Sequence, residues 1–118
     1  MRLVAATSDL FLQSRITELA RQTGTDTFFG SRPDELKRLV SQNRAELVIL
    51  DLSATEYDPF LVARELKMTF NTRLFGLYPH MRAELKKRAD EMGFEYVVPN
   101  LTFLSSLRQV LLERTEDE

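Results

Sequence analysis

Residues 46–53 read ELVILDLS: four consecutive apolar side chains, Leu47 to Leu50, run straight into the carboxylate of Asp51. Four residues are too few for a helix, and branched side chains in such a run mark a strand buried on both faces. Asp51 then emerges at the strand's carboxyl end, the edge where open parallel sheets gather their ligands. An acid there serves as a phosphoryl acceptor, a metal ligand or the cap of the next turn. The segments on either side narrow the choice.

Upstream, Leu3 to Ala6 is a short strand ending at Thr7-Ser8-Asp9, where Ser8 or Asp9 is placed to cap a helix. Leu12, Ile16 and Leu19 follow at helical spacing, up to a stop at Gly24. Thr27 to Phe29 is a brief strand closed by Gly30, and Ser31 to Asp34 has the spacing of a capping box ahead of Leu36, Leu39 and Val40.

Downstream, Asp58-Pro59 opens a helix, with Asp58 as N-cap and Pro59 at the first position, where its missing N–H costs nothing. That helix carries Val62, Ala63, Leu66 and Phe70. Leu74 to Leu77 is a strand ended by Pro79, and Leu85, Ala89 and Met92 form a helical stripe that stops at Gly93. Val97-Val98 is the last strand, and Leu104, Leu107 and Leu111 line the last helix.

Five strands alternating with five helices in 118 residues predict a flavodoxin-like, doubly wound (βα)5 domain over residues 1–118. Right-handed crossovers leave few topologies, and the order 2-1-3-4-5 places the first strand centrally. The carboxyl ends of strands one, three, four and five then converge on one pocket. Thr7, Ser8, Asp9, Asp51, Ser53, Tyr78 and Asn100 are the residues expected there.

Composition removes several function classes. The 118 residues are 43% hydrophobic and 29% charged, with a formal net charge of −2, so the overall field does not favour nucleic acid. No cysteine is present, which excludes disulfides and thiol chemistry. No apolar run approaches the ~18 residues of a membrane span, and the expected compartment is the cytoplasm. The segment after the first strand, AATSDLF, contains no glycine and so lacks a nucleotide-cradling loop. Neither zinc spacing nor a Gly-x-Ser-x-Gly elbow occurs, and the chain is not expected to be an enzyme.

With these elements in place, the chain resembles a receiver domain of the bacterial response-regulator family over nearly its whole length, in spacing more than identity. Asp51 in VILDLS matches the family's phosphoryl-accepting aspartate. The family's acidic pair falls on Thr7 and Ser8, its frequent third acid on Asp9, and its Asp-Gly pair on Asp58-Pro59. Its strand-four hydroxyl falls on Tyr78 and its strand-five lysine on Asn100, or on Pro99 in a register shifted by one. Its strand-five aromatic falls on Val97, with Tyr96 adjacent.

The resemblance implies a degenerate receiver. Phosphoryl transfer to a carboxylate requires charge neutralisation, which the family supplies with Mg²⁺ and the lysine. Thr7 and Ser8 offer neutral hydroxyls in place of two carboxylates, and Tyr78 is too large for the switching hydroxyl. It is expected to lie across the pocket and offer its phenol to Asp51. A stand-alone module without an output domain, binding a signalling protein or a second copy of itself without phosphate, is the first expectation. It needs no cofactor.

Two alternatives stay open. In one, Asp51 is phosphorylated by a histidine kinase or relay, with Mg²⁺ on Asp9 and Asp51 and with Asn100 on the phosphoryl oxygens. In the other, a small molecule binds at the strand ends, where Tyr78 stacks on it. For a homodimer through helices four and five, Phe103, Leu107 and Val110 are the candidate contacts, although Phe103 and Val110 equally suit a widened core contact. His80, the only histidine, reads as a solvated loop residue, and Lys86-Lys87-Arg88 as a solvated helix face.

Overall fold

A computed structural model describes residues 1–116. Its elements are β1 (Arg2–Ala6), α1 (Leu10–Gln22), β2 (Asp26–Gly30), α2 (Pro33–Asn43), β3 (Leu47–Asp51), α3 (Pro59–Phe70), β4 (Arg73–Tyr78), α4 (Ala83–Glu91), β5 (Tyr96–Pro99) and α5 (Phe103–Glu116). A single 3-10 turn, Asn100–Thr102, leads into α5. The strands form one parallel sheet in the order β2-β1-β3-β4-β5. This is the predicted doubly wound (βα)5 arrangement. No described helix is long and apolar enough to cross a membrane.

The alternating strand side chains divide into two cores. Val4, Val48, Leu50 and Leu74 point toward α2, α3 and α4, where they meet Leu36, Val40, Val62, Leu66 and Leu85. Leu3, Ile49, Phe75 and Leu77 point the other way, toward Ile16 and Leu19 of α1 and Leu107 and Leu111 of α5. Residues Leu47 to Leu50 are all buried, as a strand covered on both faces requires. Phe75 stacks on Tyr96 and meets Phe103 edge-on, with ring centroids 5.4 and 5.5 Å away. Offset and edge-on pairs of this kind each add about 0.5–1.5 kcal/mol beyond area burial.

Two expectations need correction. The helix after β2 does not use a Ser31–Asp34 capping box. Its N-cap is Arg32, without a side-chain cap, because Pro33 takes the first helical position that its fixed φ suits. Glu35 then reaches back one residue further, accepting the Ser31 N–H at 3.0 Å. The second correction concerns α5. Phe103, Leu107 and Val110 are buried in the sheet–helix core, so they cannot form a dimer face. The apolar surplus on α5 widens its contact with the sheet and α1.

Candidate functional site

The loop after β1 and the loop after β3 meet at the carboxyl edge of the sheet. Ala6 at the end of β1 lies beside Leu50, which brings Thr7 and Asp51 to the same edge. Leu52 continues beyond β3 by donating its N–H to the Leu77 carbonyl at 2.9 Å, so the edge extends to β4. Gly76 makes this possible, since a Cβ there would stand 3.0 Å from the Leu52 side chain.

The Asp51 carboxylate is tied to its own loop. Oδ1 accepts the Ser53 N–H at 2.9 Å and the Ser53 hydroxyl at 2.8 Å, the geometry of an Asx turn. A phenol sits at the same strand end, and it belongs to Tyr57. Its hydroxyl donates to the Ala6 carbonyl at 2.9 Å and accepts the Asp51 N–H at 3.0 Å. It thereby cross-links β1 and β3 just where their ladder ends. Burial pushes this phenol well above the ordinary tyrosine range; nearby Asp51 and Glu56 add to the shift, and the backbone hydrogen bond with Asp51 opposes it. Tyr57 is therefore a neutral structural hydroxyl.

The three residues after β1 are likewise engaged. Thr7 is buried, its hydroxyl accepting the Asp9 N–H at 3.0 Å and its carbonyl accepting from Gln13 at 2.8 Å. Ser8 donates to the Glu56 carboxylate at 2.7 Å, linking this loop to the β3–α3 loop. Asp9 is the N-cap of α1, with Oδ1 accepting the N–H groups of Phe11 and Leu12. Asp58 does the same for α3, toward Phe60 and Leu61. Among the described residues no group of three or more His, Asp and Glu side chains gathers to hold a metal ion.

The sequence matches no protein-family model and no curated protein. Its structure has clear neighbours. The signal receiver domain of a DNA-binding response regulator from Colwellia psychrerythraea superposes with a TM-score of 0.85 at 15% identity, covering 98% of each chain. A response regulator receiver domain from Clostridium thermocellum gives 0.80 at 16% identity, covering 98% of this chain and 96% of that one. The receiver domain of a Francisella response regulator gives 0.75 at 21% identity, covering 97% of each. This chain has the receiver-domain fold.

Within that receiver fold, the expected site residues have different fates. Asp51, Ser53, Thr7, Ser8 and Asp9 come together at the carboxyl edge of β1 and β3. Asn100 lies at the end of β5, exposed, with its carbonyl accepting the Phe103 N–H at the start of α5. Tyr78 is buried in the core facing α3 and α4, with 7% of its surface exposed, so it is not free to stack on a ligand. The strand-end phenol is Tyr57's instead of Tyr78's, because Tyr78 is packed among apolar residues at the end of β4. Of the two strand-five candidates, Val97 packs toward α3 and α4, while Tyr96 turns to the opposite face and Phe75.

Tyr57, Glu56 and Gln13 escaped sequence reading. Tyr57 carried one usable signal: it directly precedes the Asp58 N-cap, a position from which an apolar side chain folds back against its helix.

Proposed function

We propose that this chain is a cytoplasmic signalling module of a two-component-type pathway that works by protein–protein contact without phosphate on Asp51. The receiver-domain fold, shared with response-regulator domains, supports the signalling part of this reading. The observation that carries the phosphate-independent part is how the Asp51 edge spends its polar groups. Thr7 and Ser8 are neutral and bonded within the chain, Asp9 caps α1, and Asp51 closes onto Ser53.

Mg²⁺ wants carboxylate oxygens in octahedral array, and this donor set does not fit it. No lysine stands at or beside the Asn100 position to neutralise phosphoryl oxygens. With no metal or cofactor in this reading, and no enzymatic step, the output is binding. Exposed apolar side chains at the same edge offer a contact surface: Leu10 and Phe11 open α1 and Leu101 follows β5, with 77%, 72% and 87% of their surfaces exposed.

The test is an amide NMR titration with Mg²⁺ and then beryllofluoride, a phosphoryl mimic. An unchanged spectrum at millimolar Mg²⁺ is expected. Localised, Mg²⁺-dependent shifts at Asp9, Asp51 and Asn100 would overturn the reading in favour of a phosphorylated regulator.

A further inference from the structure

An open cleft runs between α3 and α4, on the helical face away from α1 and α5. Two adjoining hollows of about 320 and 280 Å³ share Asp58, Phe60 and Arg88. One extends from Ser53 and Arg82 near the sheet edge, the other toward Arg64 and Met92. The floor is apolar: Phe60 and Leu85 are buried, Met92 is half-buried, and Leu61 remains exposed.

The walls are cationic. The Arg88 guanidinium lies over the Phe60 ring, 4.0 Å from its centroid, which fixes a long side chain at the centre of the cleft. Arg64 stands exposed on α3, and Lys67 reaches across to Gly93 at the lower end. Neighbouring cations are neutralised within the chain: Lys37 by Glu65, Lys86 by Asp90 and Arg82 by Glu84. Among the described residues, Arg64, Lys67 and Arg88 form no such ion pair. The carboxylate in the lining is Asp58's, and its Oδ1 is held by the N–H groups that start α3.

A chain of net charge −2 thus presents, over an apolar floor, a groove with two arginines that have no ion-pair partner among the described residues and a single carboxylate engaged by backbone N–H groups. The two hollows lie on either side of the ~300 Å³ lower end of small-molecule pockets, and their open form suits a segment laid along them. We propose that this cleft docks an acidic segment of a partner protein. An apolar side chain of that segment rests on Phe60, Leu61 and Met92, flanked by carboxylates on Arg64 and Arg88. Arginine pairs with carboxylates through two parallel hydrogen bonds, and the ring beneath Arg88 already holds its guanidinium in place, which lowers the entropy cost of pairing. The inference supplies a partner class for the contact-driven reading above, and it rests on that reading only in treating the protein as a binding module.

A random-peptide phage library panned on the immobilised protein, with the Arg64→Glu variant for counter-selection, tests it directly. Peptides with acidic residues around an apolar one are expected to be enriched. One such peptide, titrated into labelled protein, should shift amides of α3 and α4 around Phe60 and Arg88. Arg64→Glu should weaken it by about tenfold or more, as expected for reversing a contacting charge. Arg64 is exposed, so that variant keeps the fold. Arg88→Gln should weaken binding as well.

Failure to enrich, enrichment without acids, or shifts confined to other surfaces would each overturn the proposal. Because no phosphodonor is used, a positive beryllofluoride titration would sink the phosphate-independent reading without touching the cleft. A negative panning result would do the reverse.

Discussion

Two polar regions of this molecule use their groups in opposite ways. At the carboxyl edge of β1 and β3, the Tyr57 phenol bridges two backbones, Ser8 holds Glu56, and Asp51 holds Ser53. In the α3–α4 cleft, Arg64 and Arg88 face outward with no carboxylate paired to either among the described residues. Tyr57 and Thr7 are buried at that edge, and a buried polar group costs free energy unless it is hydrogen-bonded, so both are satisfied within the chain. An exposed guanidinium carries no such obligation and stays available to a partner. The region where the family's chemistry is expected is the more closed of the two.

Tyr57→Ala should destabilise the fold by about 3–5 kcal/mol in chemical denaturation, since it removes a buried ring and its bridging hydroxyl together. A loss below about 1 kcal/mol would mean that Tyr57 does not hold the ends of β1 and β3 together.

Tyr57→Phe keeps the ring and leaves the Ala6 carbonyl and the Asp51 N–H without their shared partner. The expected cost is about 1–3 kcal/mol. The same variant has a pH signature. Burial raises the folded-state pKa of Tyr57, so its contribution is fully present below the unfolded value and is lost as pH rises beyond it. Wild-type stability should therefore fall above roughly pH 10, the ordinary tyrosine value, more steeply than that of Tyr57→Phe. Parallel alkaline profiles would contradict the buried phenol.

Removing the α3 cap by Asp58→Ala is expected to cost about 1 kcal/mol, read from the denaturation midpoint. A clearly larger loss would mean that Asp58 also holds the cleft in shape. Asp51→Asn should do least, staying within about 0.5 kcal/mol of wild type. Its Oδ1 still accepts from Ser53, and partner binding should be unchanged. An Asn variant that fails to bind would show that the closed edge takes part in recognition after all.

Much of the fold is legible in particular residues. The buried run Leu47–Leu50, the Asp58-Pro59 start and the stops at Gly24 and Gly93 are local signals, and the elements appear where those signals lie. Both glycines take positive φ, 68° and 87°, which suits a residue without a side chain. At the start of α2, Ser31 to Asp34 and Arg32-Pro33 are competing local signals one residue apart, and the proline prevails. The candidate site was less legible. Thr7, Ser8, Asp9 and Asp51 could be placed from strand ends, but Tyr57 sits in a loop without periodicity, and its partner Ala6 is far away in sequence.

By itself, the sequence determined the alternation of strands and helices, the strand with Asp51 at its end, and the neutral residues Thr7, Ser8 and Asn100 just past the ends of other strands. Those are matters of residue type and local spacing. Tertiary structure alone decided that Tyr57 rather than Tyr78 supplies the strand-end phenol. It also decided that Phe103, Leu107 and Val110 face the core, and that Arg64 and Arg88 flank one cleft. Each of these depends on how two or more distant segments pack, and packing is set by which faces the whole sheet must cover at once.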